Sequence, residues 1–358
     1  MTLAAEPTGT TRLPIDLGPA RQVAAAHVRD GSVPCAAFGV IDTAGRSTCE
    51  FVGGPGGAPE RESVFFLASI TKGIVATAVM RYVDEGRLDL HAPLARYLPK
   101  LEGSALDGVS AWHVLTHTSG LRDMPVDSLR RERPTYQRSL RFALESAPVT
   151  EPGTAYAYNS VTFILLAETM ARLSGTSFAE ALSSRLTQPL DMVDTTFDAR
   201  PLRERLIPVH GSGIENRLVQ ELMMRFLAGA QMPGGGLFGT LPDLLRLAGA
   251  LLPAGPAAPG PRVLSQATID EMGRNHTEGM TQITEAGVER EVRQALGWRK
   301  PQRDWPGGER TFTHGGMSGG RIWVDPEAGF AVVFLSNLWR APLEVSIAVI
   351  DAIYRTRG

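Results

Sequence analysis

Two kinds of hydrophobic spacing divide this chain. Near the start, Leu17, Ala20, Val23 and Ala24 recur at helix spacing and predict an amphipathic helix over 15–29. Short apolar runs over 35–41 and 48–52 flank Asp42-Thr43-Ala44-Gly45, the pattern of a β-hairpin. A third run, Phe65-Phe66-Leu67-Ala68, stops at Ser69. From there Ile74, Val75, Ala78, Val79, Tyr82 and Val83 return to helix spacing as far as Gly86, a residue suited to a C-cap.

Up to about residue 275 the pattern stays mostly helical, with segments over 111–116, 137–146, 161–173, 178–186 and 241–252. Glu151-Pro152-Gly153-Thr154 reads as a turn, and the Pro/Gly-rich 253–261 as a surface linker. Strand-like runs return over 295–299, 311–314, 321–324 and 330–336, and a helix over 343–354 closes the chain. Strands at both ends around a helical middle predict an α+β fold. Its antiparallel sheet would be built from both chain ends and flanked by terminal helices, with an all-α insertion between. Residues 1–13 read as a flexible arm. Residues 14–358 read as one domain, with an α/β part over 14–68 and 290–358 and a helical part over 69–289.

Composition narrows the function. Of 358 residues, 43% are hydrophobic and 21% charged, enough to bury a sizeable core. The net charge of −2, with no basic patch, argues against nucleic-acid binding. No run is long and apolar enough for a membrane span, so no membrane role is expected. The first nine residues show no charged segment followed by an apolar one, and a cytoplasmic location is expected. Cys35 and Cys49 lie in strand-like segments and are expected as simple buried residues.

The candidate chemistry begins at Ser69. As the first residue of a helix it could merely cap free backbone N–H groups. Yet Lys72 follows one turn later on the same face, and Ser-x-x-Lys is also a nucleophile with its proton acceptor. The chain has 36 Lys plus Arg, of which only Lys72, Lys100 and Lys300 are lysines. Arginine keeps its proton in proteins and a desolvated lysine can lose it, so the lysine after Ser69 fits a base. Further along, Tyr158 opens an apolar helix and could hold a phenolate if Lys72 lay against it; by itself it reads as a packed ring. Thr313-His314-Gly315-Gly316-Met317-Ser318-Gly319-Gly320 lies on an expected edge strand. Its glycines would let a substrate approach a free N–H there.

Three other motifs carry less. Gly316-Met317-Ser318-Gly319-Gly320 matches a nucleophile elbow, but a strand follows where a helix is required, and no histidine follows His314. Gly234-Gly235-Gly236-Leu237-Phe238-Gly239 matches a dinucleotide loop, but no strand precedes it. His113 and His117 have metal-ligand spacing without a third ligand, and a structural role is expected. No metal or organic cofactor is implied.

Taken together these residues resemble the serine β-lactamase and penicillin-binding-protein-like superfamily, in its class C β-lactamase-like esterase, DD-peptidase and acyltransferase branch. The resemblance covers about residues 33–340. It rests on Ser69-Ile70-Thr71-Lys72, Leu115-Thr116-His117-Thr118-Ser119-Gly120-Leu121, Pro152-Gly153-Thr154 leading to Tyr158, Gly234-Gly235-Gly236-Leu237-Phe238, His314-Gly315-Gly316 and Trp323-Val324-Asp325-Pro326. It implies Ser69 as the acylated nucleophile, Lys72 as base, Tyr158 as the second-motif tyrosine, and His314-Gly315-Gly316 in the third motif. The oxyanion hole would be the N–H groups of Ser69 and, on the strand, Met317. The second motif is usually Tyr-x-Asn, whereas Asn159 and Ser160 follow Tyr158 here. Either could serve Lys72 and the substrate carbonyl, and Gly315 and Gly316 would line the substrate.

The implied function is a serine hydrolase or acyltransferase for an ester, thioester or amide of a small molecule, with water, an alcohol or an amine as acceptor. His314 would supply a hydrogen bond or a charge near Tyr158. The alternatives are a β-lactamase or DD-peptidase, and a binding or scaffold protein of the same fold. Arg130, Arg131, Arg133 and Tyr136 either shape an acyl pocket or form a solvated run.

Overall fold

The computed structural model describes residues 15–124, 131–211, 216–253, 262–283 and 287–356. The arm over 1–13, Arg130 and most of the 253–261 linker lie outside the described residues.

Helix α1 (Gly18–Arg29) leads into strands β1 (Cys35–Asp42) and β2 (Ser47–Gly53). From the other chain end come β7 (Phe312–Gly315), β8 (Arg321–Asp325) and β9 (Phe330–Leu335), followed by α10 (Leu343–Arg355). These strands form one antiparallel sheet in the order β2-β1-β9-β8-β7. The side chains alternate between two cores, as strand geometry demands. Ala36, Phe38 and Val40 of β1 and Phe330, Val332 and Phe334 of β9 pack under α1 and α10. Ala37 and Ile41, with Ala331, Val333 and Leu335, face the helical part. Both faces are covered, so β1 and β9 read as continuous apolar runs. Each such large side chain contributes about 1.5–3 kcal/mol on burial.

In the helical part, α2 (Ile70–Asp84) is buried on nearly every side. Around it stand α3 (Ala111–Leu115), α4 (Tyr136–Glu145), α5 (Phe163–Ser174), α6 (Phe178–Leu182), α7 (Arg217–Ala230), α8 (Leu241–Ala250) and α9 (Gln266–Gly273). This region is not all-α. Short strands β3 (Val64–Phe66) and β4 (Phe238–Thr240) pair just before α2, and β5 (Thr281–Ile283) pairs with β6 (Glu289–Glu291). Three-residue strands leave too short an alternation to stand out among helical periods.

The strand expected over 295–299 is a turn. Gly297 has φ +69°, and Ala295 N–H donates to the Trp298 carbonyl at 2.9 Å. The reversal buries Trp298 in the core and lays Arg299 against Thr313 of β7, with two backbone hydrogen bonds of 2.8 Å. Gly73 leaves room for that ring: a Cβ there would come within 2.9 Å of it.

Candidate active site

Ser69 sits where β3 turns into α2. The turn is made at Ala68, whose φ of +46° is rare for a residue with a side chain and marks local strain. It points the Ser69 hydroxyl out of the helix end, where it makes no capping bond. The capping reading therefore fails, and the hydroxyl is free for chemistry. Lys72, 0% exposed, places Nζ 3.3 Å from Ser69 Oγ, 3.0 Å from Ser160 Oγ and 2.5 Å from the Gly234 carbonyl oxygen. Three acceptors match the three N–H bonds of an ammonium. Gly234 approaches so closely because it lacks a side chain; a Cβ would meet the Ser160 carbonyl oxygen at 2.3 Å.

Tyr158 lies beneath Lys72, whose Nζ is 4.7 Å from the ring centroid. Burial pushes its phenol up. The Lys72 charge, hydrogen bonding with Lys72 and Ser69, and the Arg299 charge outweigh that effect, and the phenol lies below its ordinary range. Arg299 is 5.3 Å from the same ring and donates to the Tyr156 hydroxyl at 3.0 Å.

His314, in β7, is buried, and its Nδ1–H donates to its neighbour's carbonyl, Gly315 O, at 2.8 Å. Burial first, then the charges of Lys72 and Arg299, hold its pKa well below the usual histidine range. The ring is neutral, and Nε2 is a buried acceptor without a partner among the described residues. Beyond β7, Gly316 N–H donates to the Gly320 carbonyl at 2.8 Å and closes a turn. Met317 belongs to this turn and not to the strand, because the chain reverses toward β8 there. The N–H groups of Ser69 and Met317 donate to no other backbone group among the described residues.

Asn159 does not reach the site. It is fully buried, its Nδ2 donates to Leu121 O at 2.9 Å, and its Oδ1 accepts from Thr162 N at 3.0 Å. Both ends of the amide are committed to holding the start of α5. Ser160, one residue on, points at Lys72 instead. The pairing of His113 and His117 also dissolves. His113 Nδ1 accepts from Ser110 N at 3.0 Å as part of the α3 capping box. No group of three or more metal-ligating side chains occurs among the described residues.

Sequence reasoning missed a second role for His117. Its ring lies 4.5 Å from the Tyr158 ring, and its Nδ1 accepts the Asn159 N–H at 3.1 Å. Its placement beside Lys72-Ser69 depends on segments far apart in sequence, and no local signal reveals it.

Ser69 and Met317 line two cavities. One, about 380 Å³, is walled by apolar side chains, among them Phe66, Met223, Phe226, Leu227 and Trp339, with Arg133 and Ser160. The other, about 410 Å³, contains Tyr156, Tyr158, Arg299, His314, Gly315, Gly316 and Arg321. Of the arginine run, Arg133 thus reaches a cavity, Arg131 is exposed, and Tyr136 donates to Glu168 Oε2 at 3.3 Å. No helix among the described residues is long and apolar enough to cross a membrane.

The sequence model of the family described as Beta-lactamase matches residues 20–352. The chain is 30% identical to Esterase EstB of Burkholderia gladioli, over 83% of this chain and 84% of that one. It is 31% identical to penicillin-binding protein 4 of Amycolatopsis lactamdurans, over 79% and 74% of the two chains. Its fold is similar to that of a family VIII carboxylesterase, with a TM-score of 0.79 at 22% identity, covering 98% and 99%.

Proposed function

The chain belongs to the Beta-lactamase family and is a serine acyl-enzyme hydrolase or acyltransferase; we propose that Ser69 is its nucleophile and that it takes small esters with an apolar acyl part. One observation carries this reading. The uncapped Ser69 hydroxyl, in contact with Lys72, stands on the wall between an apolar cavity and the cavity of Tyr158.

In the first step Ser69 Oγ attacks the acyl carbonyl carbon, and its proton passes to the Tyr158 phenolate, which the Lys72 ammonium stabilises. The carbonyl electron pair moves onto oxygen, where the N–H groups of Ser69 and Met317 receive it. Collapse breaks the acyl C–O bond, and Tyr158 returns the proton to the leaving oxygen. Water or an acceptor alcohol then gives its proton to Tyr158 and attacks the acyl-enzyme, and Ser69 leaves with that proton. Lys72 is held for this by Ser160 and Gly234. Neutral His314 supplies a hydrogen-bond acceptor and no charge. A cytoplasmic setting belongs to the same reading, and the two unpaired thiols, Cys35 and Cys49, suit a reducing compartment.

The test is mass spectrometry of the protein quenched during turnover of p-nitrophenyl butanoate. A butanoyl adduct on the Ser69 peptide, absent in Ser69→Ala along with turnover, is expected. An equally active Ser69→Ala protein would overturn the assignment. The penicillin-binding relative makes a chromogenic cephalosporin the useful second substrate, and turnover faster than that of simple esters would move the reading to a β-lactamase.

A further inference from the structure

Tyr158 is clasped by a histidine that takes no part in the proton transfers. His117, just past α3, grips the chain on both sides of Tyr158. Its carbonyl accepts the Ala157 N–H at 2.8 Å, and its Nδ1 accepts the Asn159 N–H at 3.1 Å. The backbone there takes φ +58°, which is rare for a residue with a side chain and persists only where the surroundings fix it. The ring is 1% exposed, with Tyr156, Tyr158 and Phe163 around it at 5.9, 4.5 and 5.7 Å between centroids.

These contacts decide where its proton lies. A backbone N–H can only donate, so Nδ1 of His117 is bare and the proton sits on Nε2. His314 has the opposite arrangement: its Nδ1 faces the Gly315 carbonyl at 2.8 Å and carries the proton, and Nε2 is bare. Burial, then the charges of Lys72 and Arg299, keep both rings neutral. One ring thus offers a donor and the other an acceptor. Both nitrogens are buried and without a partner among the described residues, and buried polar atoms left unpaired are costly. The backbone brings the two rings to one place. Gly297 N–H donates to Leu115 O at 2.8 Å, and Arg299 exchanges two hydrogen bonds of 2.8 Å with Thr313. The turn at 297–299 therefore ties the end of α3 to β7, close to His117 on one side and His314 on the other.

We propose that His117 and His314 hold one water molecule between them, with His117 Nε2–H donating to its oxygen and His314 Nε2 accepting one of its protons. The second proton is directed to the Tyr158 oxygen, and His117 is thereby a positioning residue for the acyl transfer. A buried water needs two to four polar partners, and these three supply them. The inference rests on the reading of Tyr158 as the proton carrier for Ser69. A hydrogen bond donated to the phenolate favours that form without adding charge. The other groups around Tyr158 are Ser69 and Lys72 at the start of α2, Arg299 of the turn, and Tyr156 and Arg321 on the same cavity wall.

Asparagine separates the two roles of each histidine. In His117→Asn the amide oxygen can still take the Asn159 N–H, and in His314→Asn the amide N–H can still reach the Gly315 carbonyl. Neither variant has an atom at the Nε2 position. Each should turn over p-nitrophenyl butanoate at pH 7 with kcat lower by about tenfold and KM little changed, and its Tyr158 limb should move up by about one pH unit. Above that limb the rates should converge on wild type, which a merely structural loss would not allow. The double variant should lose no more than either single one, because each change releases the same water. An unmoved limb in both variants, losses that persist above the limb, or losses that multiply in the double variant overturn the proposal. A crystal structure of the wild-type protein tests it apart from catalysis. One water within about 3.2 Å of both Nε2 atoms is expected, and no shared water there overturns the proposal. If that water is found but Ser69 takes up no acyl group, it is the nucleophile reading that fails.

Discussion

Lys72 Nζ donates to the Ser160 hydroxyl at 3.0 Å, while the amide of the preceding Asn159 is turned away to the Leu121 carbonyl. A hydroxyl is shorter than an amide and offers Lys72 one oxygen. The lysine's remaining orientation comes from the Gly234 carbonyl, which approaches because residue 234 has no side chain.

Ser160→Ala should therefore weaken catalysis without unfolding the protein. Losing one charge-assisted hydrogen bond costs about 1.5–3 kcal/mol, or about 10- to 100-fold in kcat. Steady-state kinetics on p-nitrophenyl butanoate, beside an unchanged melting temperature, checks it.

The pH profile should report Tyr158. Its folded-state pKa lies below 10, and the phenolate is the active form, so kcat/KM should rise with pH through an ionisation below 10. Arg299→Gln removes a cation that favours the phenolate and should move this limb to higher pH. His117 and His314 both lie well below the ordinary 6.5 because burial and nearby cations oppose their charging. No limb should appear near 6.5. A limb there that vanishes in His314→Gln would contradict the neutral assignment.

Gly316 holds the Met317 turn against the nucleophile. A Cβ at this position would lie 2.4 Å from the Leu67 carbonyl oxygen, two residues before Ser69. Gly316→Ala must push the turn away from Ser69, and a displacement of about 1 Å can cost on the order of 100-fold. The expected result is a large loss of kcat with a modest fall in melting temperature, measured by kinetics and thermal unfolding together.

The apolar cavity should set acyl length. Met223 lines it from α7 at a half-buried position, and Met223→Trp would fill part of its roughly 380 Å³. Acetyl esters should then be turned over nearly as before while octanoyl esters lose about tenfold or more in kcat/KM. An unchanged chain-length profile would place the acyl group elsewhere.

Much of the fold was legible because it depends on spacing along the chain. The alternating faces of β1 and β9 and the helix after Ser69 follow from periods of two and about 3.6 residues. Lys72 follows Ser69 by one helical turn, so their contact too is a local matter. The strand expected over 295–299 is a turn at Gly297, which local apolar spacing does not reveal. A positive φ at a single glycine breaks the run.

By itself, the sequence determined the sheet-and-helix order, the Ser69–Lys72 pair and the family. Tertiary packing alone decided that Ser160 and not Asn159 meets Lys72, that the His117 ring lies tilted against Tyr158, and that Arg321 is buried against neutral hydroxyls. The physical reason is one of distance along the chain. Lys72 meets the Gly234 carbonyl across 162 positions, and only the packing of the whole core brings such groups within 2.5 Å.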